Sequence, residues 1–226
     1  YEKCRSVAVI DHHRKLVEYI DNATIFYHES YASSSCEMVT ELVQYLSGNI
    51  RLTRLEAEAL LAGIMLDTKN FVSKAGVRTF EAAAYLRRCG VEVTRVRKLL
   101  REDMSAYKAR AEIVRHAQVY RGAFAIAVSE ESNVESPTVV GAQAANELLN
   151  IVGIKASFVL TEYQNKVYIS SRSIDEIDVQ LIMERLGGGG HLNVAGAQIE
   201  NSSLAEVKRK LQDTIDILID EGEIKI

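Results

Sequence analysis

Residues Val7–Ile10 form an apolar run with no polar alternation, and the run ends on Asp11-His12-His13. A strand that is apolar at every position is covered on both faces, which is the pattern of a parallel sheet inside an α/β domain. In open α/β sheets, ligands bind beyond the C-terminal ends of the strands. A carboxylate and two imidazoles at such a point can hold a transition metal or orient a phosphate. A hydrogen-bonded turn is the plainer account of the same three residues.

The rest of the first half reads as helical. After a loop region to about Ser35, helices are expected at about Cys36–Leu46, from Thr53 towards Asp67, and at about Thr79–Arg88. Ser33 to Ser35 are candidate caps for the first helix. Thr53 with Glu56 forms a capping box for the second. A long helical stretch is expected over about Thr94–Tyr120, rich in Arg and Lys, as a solvated helix face or inter-domain connector, with a nucleic-acid contact as the alternative.

Composition shifts at Gly122. Strands are expected at 124–128, Ala156–Thr161 and Lys166–Arg172, with a hairpin turn at Tyr163-Gln164-Asn165. Helices are expected at Val140–Ile151, Val179–Leu186 and Ser203–Ile219. The predicted organisation is therefore a first α/β unit at about 1–100, a helical connector at 101–120, and a second α/β unit at 121–226.

Composition narrows the function classes. With 226 residues, 47% hydrophobic and 26% charged, the chain can build a sizeable core. A net charge of −4 argues against a dedicated binder of long nucleic acid, though not against a nucleotide in a local basic pocket. No apolar run reaches the roughly 18 residues of a membrane-spanning helix. Three cysteines, Cys4, Cys36 and Cys89, are an odd number at irregular spacing, so reduced thiols are expected rather than a disulfide framework or a zinc cluster.

Three further features carry chemistry. Asp67 ends an apolar stretch, where an acid needs a metal, a base or hydrogen bonds, a helix cap being the ordinary alternative. An acid and an imidazole at strand ends suit manganese better than magnesium. Gly187-Gly188-Gly189-Gly190-His191 would let backbone N–H groups approach a phosphate and would open a helix whose N-terminus attracts anions. It lacks the Lys-Ser/Thr ending of a Walker loop, and a flexible surface loop is the bland alternative. Arg172, at a strand end, could fork onto a phosphate or be an ordinary surface arginine. His28 and His116 have no acidic or cysteine neighbours at ligand spacing and read as structural. Tyr31 and Phe71 suit base stacking and core packing equally.

The blocks VAVIDHHR, YASSSCEMVTELVQYL, LLAGIMLDTKNF, RTFEAAAYLRR and GGGGHLNVAGAQ, in this order, resemble the DHH phosphoesterase superfamily with its DHH-associated C-terminal domain. The longer blocks look most like the bacterial cyclic-di-AMP phosphodiesterases of the GdpP type. The resemblance implies an α/β fold: part of a DHH domain with a parallel sheet, followed by a smaller α/β DHH-associated domain. It implies hydrolysis of cyclic di-AMP to pApA at a site of two manganese ions, in the cytoplasmic module of a membrane-anchored protein.

Carried over by position, His12 and Asp67 resemble metal ligands. His13 resembles the histidine facing the substrate phosphate, with Asp11 orienting the pair. Arg172, Gly188, Gly189, Gly190 and His191 resemble the nucleotide-binding elements of the second domain. Partners implied are a cyclic dinucleotide or a short oligonucleotide, with a homodimer also compatible. Related readings of the same residues are an oligoribonuclease or pApA hydrolase, and a nucleotide-sensing module without catalysis. The family also needs a His-x-x-x-Asp-x-Asp segment and a further aspartate ahead of the DHH motif. Neither is in this chain, which opens without a methionine almost directly on its first strand. The expectation is a fragment that lacks turnover by itself.

Overall fold

The computed structural model describes residues 3–13, 19–46, 51–129, 134–174 and 177–225. The chain divides into two compact units, Tyr1–Arg101 and Glu102–Ile226. Residues 102–120 fall within the second unit.

In the first unit, β1 (Ala8–Asp11) pairs in parallel with β2 (Ile25–His28), with Asp11 opposite His28. Four helices follow: α1 (Ser35–Tyr45), α2 (Arg54–Asp67), α3 (Val77–Arg88) and α4 (Val93–Leu99). The expected capping box is present at the start of α2, where Thr53 and Glu56 satisfy each other's backbone N–H groups. Ser34 caps α1 by accepting from the Glu37 N–H. Leu61, Ile64, Met65, Leu86, Val91 and Val96 form the core. A methyl group on Gly63 would come within 2.3 Å of Cys36 Sγ, so the approach of α1 to α2 depends on that glycine. The buried carboxylate of Glu37 accepts hydrogen bonds from Ser33 and Thr79, so its burial is compensated.

The second unit is a six-stranded sheet with helices on both faces. Its elements are α5 (Met104–Arg115), β3 (Gln118–Tyr120), β4 (Phe124–Ser129), α6 (Pro137–Leu148), β5 (Ala156–Tyr163), β6 (Lys166–Ser173), α7 (Val179–Arg185), β7 (Gly189–His191), β8 (Val194–Glu200) and α8 (Leu204–Asp220). The strand order is β3-β4-β5-β6-β8-β7. Only β4 and β5 run parallel; the other pairs are antiparallel. One face packs Phe124, Phe158, Leu160 and Ile169 against Ile182, Leu211, Ile215 and Leu218 of α7 and α8. The opposite face packs Ala125, Ala127 and Val159 against Ala144 and Leu148 of α6 and Ile113 of α5. Gln164 and Asn165 both take positive φ, 51° and 60°, and close the β5–β6 hairpin at the expected turn.

Four sequence expectations change. β1 is parallel as expected but not buried, Ala8 being exposed and Val9, Ile10 and Asp11 only half-buried. The long helix over Thr94–Tyr120 is instead α4, α5 and β3. Asp103 restarts the chain as a new helix by accepting hydrogen bonds from the Ser105 and Ala106 N–H groups. The loop before Ser35 contains β2. The glycine run does not open a helix: it leaves the end of α7 and becomes the edge strand β7.

Candidate functional site

The C-terminal end of β1 and the last residue of α2 bring the first group together. His12 Nε2 lies 3.6 Å from Asp67 Oδ2, too far for a hydrogen bond. The His12 side chain is 16% exposed and that of Asp67 47% exposed, so the pair sits at the edge of solvent. An imidazole nitrogen and a carboxylate oxygen facing each other at this separation fit two ligands of one divalent transition metal. They are an incomplete set: among the described residues no group of three or more His, Cys, Asp or Glu side chains could hold a metal ion.

Asp11 serves His13 rather than His12. Its Oδ1 accepts from the His13 backbone N–H at 3.0 Å and pairs with His13 Nδ1 at 2.8 Å. The backbone and side-chain hydrogen bonds from His13 hold the Asp11 carboxyl below its usual range. His13 Nε2 makes no hydrogen bond among the described residues; its side chain is 77% exposed and its ring lies 4.4 Å from that of His12. His28, at the matching position of β2, bonds the His13 backbone oxygen through its Nε2. This bond ties His13, just past the end of β1, to β2. The Cys36 thiol is pushed up by burial, with Asp67 adding to the effect. Phe71 stacks on Phe80 with centroids 5.4 Å apart and packs against the core, while Tyr31 is exposed.

The second group lies on the sheet of the second unit. In register, Arg172 is opposite Val194 and Val194 is opposite His191. Cross-strand partners share a face, so Arg172 and His191 project from the same side, about 10 Å apart at ~4.8 Å per strand. That face is covered by α5 over β4 and by α6 over β5 and β6, and is open over β8 and β7. A groove of about 550 Å³ lies beside this row, lined by Thr138, Tyr168, Ser170, Gly189, Gly196 and Gln198, among others, with Arg172 and His191 next to it rather than in its lining.

Burial lowers the Arg172 guanidinium from its ordinary value. Its hydrogen bond goes to the Ser171 backbone oxygen, and no carboxylate among the described residues pairs with it. A half-buried cation without a counter-ion is suited to an anionic ligand.

The four glycines divide by role. A methyl on Gly188 or Gly190 would meet the β8 backbone at 2.2 and 2.5 Å, so both are required for β7 to lie against β8. Gly187 takes a left-handed φ of 79°. Gly189 has neither constraint, and a methyl there would project into open space. Its glycine identity keeps the floor of the groove bare. Thr138, Tyr168, Ser170 and Gln198 were not evident as site residues from sequence. The signal for the strand residues is the alternation in 166–173 and 194–200, which puts one polar set on the α6 face.

The fold is that of a two-unit α/β protein, with a His–Asp pair at a strand end in the first unit and an open, glycine-floored groove in the second. The chain matches the DHH family, N-terminal domain, over residues 1–64 and the DHHA1 domain over residues 123–221. It belongs to the DHH family. It is 42% identical over 216 residues to the cyclic-di-AMP phosphodiesterase PdeA of Listeria monocytogenes, covering 95% of this chain and 33% of the relative. It is 43% identical to the cyclic-di-AMP phosphodiesterase GdpP of Geobacillus thermodenitrificans, covering 96% of this chain and 33% of the relative. The chain thus spans about a third of the length of these relatives. Its fold is similar to an exopolyphosphatase-related protein of Bacteroides fragilis, with a TM-score of 0.78 at 20% identity over 92% of this chain and 63% of that one. No helix among the described residues is long and apolar enough to cross a membrane.

Proposed function

We propose that this chain is the DHH and DHHA1 portion of a metal-dependent phosphodiesterase that hydrolyses cyclic di-AMP to pApA, with a membrane-anchored parent. The observation that carries the reading is identity above 40% along nearly the whole chain to relatives named for that activity. The geometry of both residue groups is consistent with it.

His12 and Asp67 would hold manganese, two ions in the complete site. The metal when bound supplies charge neutralisation at the phosphoryl oxygens and lowers the pKa of water. The chain's own residues do the rest. Asp11 accepts from Nδ1–H and fixes the His13 ring, so that Nε2 faces the substrate and, in the doubly protonated imidazolium, donates to a phosphate oxygen. Arg172 and His191 bind the anionic end of the ligand, and the bare floor at Gly189 admits the ligand against backbone. In the net reaction one water adds across one phosphodiester: its oxygen joins phosphorus, the 3′ oxygen leaves and takes a proton, and linear pApA results. Long nucleic acid is not the substrate, consistent with the net charge of −4.

Two metal donors are too few for a two-ion mechanism, so the 226-residue chain alone is expected to show no turnover. The test is a chromatographic assay of cyclic di-AMP and of pApA with manganese, run on the chain and on the whole protein. Conversion of cyclic di-AMP to pApA by the whole protein supports the reading. Cleavage of pApA alone would make it an oligoribonuclease-type enzyme. Binding without cleavage by the whole protein would make it a sensor. Turnover by the chain alone at the whole protein's rate would refute the ligand argument.

A further inference from the structure

The α6 face of the second unit's sheet, open over β8 and β7, is polar at both ends and nearly flat in the middle. At one end stand Arg172 and His191, either side of Val194. The middle row is Ser170, Gly196 and Gly189, where the two glycines present almost nothing but backbone. At the other end Tyr168 lies opposite Gln198. The two ends are four residues apart along β8, about 13 Å at ~3.3 Å per residue.

Gln198 is exposed, and its amide makes no hydrogen bond with a described residue. Tyr168 is half-buried beside it, its ring 6.3 Å from that of Tyr163. The arrangement has a direction: a cation and an imidazole, then a flat floor, then an unused amide beside an aromatic ring. A nucleotide has the same order, from phosphate through sugar to base.

We infer that Gln198, with Tyr168 as its aromatic wall, reads the base of the bound nucleotide and selects adenine over guanine. This rests on the reading of the groove as the dinucleotide site. An amide carries one acceptor and one pair of donors side by side. Adenine offers the complementary pair, the N6 amino donor and the N7 acceptor. On that same Hoogsteen edge guanine offers two acceptors, O6 and N7, so one amide atom would face a group of its own kind. Arg172 and His191 lie at the phosphate end and do not distinguish the bases.

The experiment is calorimetric titration of the 226-residue chain with pApA and with pGpG, for the wild type, Gln198→Leu and Arg172→Ala. Circular dichroism checks the fold of each variant. The wild type is expected to bind pApA more tightly. Gln198→Leu should weaken pApA by roughly 5- to 150-fold, the range for one bidentate base contact, and change pGpG little. Arg172→Ala should weaken both ligands alike. Equal wild-type binding of the two, or a preference that survives Gln198→Leu, overturns the inference while the groove remains the site. If Arg172→Ala alters neither ligand, or the wild type binds neither, the groove reading itself fails and the inference with it.

Discussion

Arg172 and His191 flank Val194 in a single row of the sheet, on the face that α6 covers over β5 and β6 and leaves open over β8 and β7. The row exists because β7, only three residues long, lies against β8, and that closeness is what Gly188 and Gly190 permit. The two glycine types therefore predict different failures. Gly188→Ala and Gly190→Ala should lower the melting temperature, since each methyl would overlap backbone that cannot yield. Gly189→Ala should leave the melting temperature unchanged and weaken dinucleotide binding. Thermal melts and pApA titration of the three variants separate the roles. Equal destabilisation by all three would contradict them.

The Arg172 guanidinium is half-buried without a described carboxylate partner, so its removal costs ligand binding more than stability. A charge-assisted hydrogen bond is worth about 1.5–3 kcal/mol. Arg172→Ala and His191→Ala should each weaken dinucleotide binding by roughly 10- to 150-fold. In the whole enzyme the loss should fall on KM, with metal content unchanged. Steady-state kinetics together with metal analysis would show whether it does.

Thr161 Oγ1 is buried and has no hydrogen-bond partner among the described residues. It sits under α6, where a methyl on Gly141 would come within 2.4 Å of it. Removing an unsatisfied hydroxyl while keeping its shape relieves a desolvation penalty. Thr161→Val is expected to be neutral or stabilising by up to about 1–3 kcal/mol. Gly141→Ala should destabilise by about 1–3 kcal/mol through overpacking. Denaturant unfolding of both variants is the check, and the opposite order of stability would contradict the packing described.

Asp216 of α8 accepts hydrogen bonds from Tyr120 Oη and from Arg121 Nε and Nη2. The Arg121 guanidinium holds this carboxyl below its ordinary range. A lowered folded-state pKa contributes stability above the unfolded pKa of about 3.9 and loses it as pH falls through the folded value. Asp216→Asn should therefore lower the melting temperature at pH about 7 by more than at pH about 2.5. The same deficit at both would mean that the pair contributes through shape rather than charge.

Much of the fold was legible because local chemistry and tertiary structure agree. Thr53 with Glu56, the Gln164-Asn165 turn and the apolar run ending in Asp11 each signal their element within a few residues. β2 was not legible: Ile25–His28 is short, and half of it is exposed, so no buried period appears. β7 was hidden by its glycines, which signal loops unless the neighbouring backbone is known. The break at Asp103 carried a signal, a capping acid ahead of a Ser and an Ala, but the surrounding basic periodicity obscured it. In the site, His12 and Asp67 could be named from sequence, whereas Asp11 serving His13 depends on side-chain rotamers. Gln198 had no sequence signal by itself, because its meaning comes from the register that places it on the open part of the α6 face.

The claim at the centre of this account is that His12 and Asp67 hold catalytic metal. The direct measurement is manganese-dependent hydrolysis of cyclic di-AMP by the whole protein, compared with His12→Ala and Asp67→Ala. Metal content and melting temperature are followed on the same samples. Each variant is expected to keep its fold, lose bound manganese and lose activity by several orders of magnitude, since metal activation lowers the barrier by several kcal/mol. If both variants kept more than about a tenth of the rate, a loss below ~1.4 kcal/mol, the pair would not be the metal site.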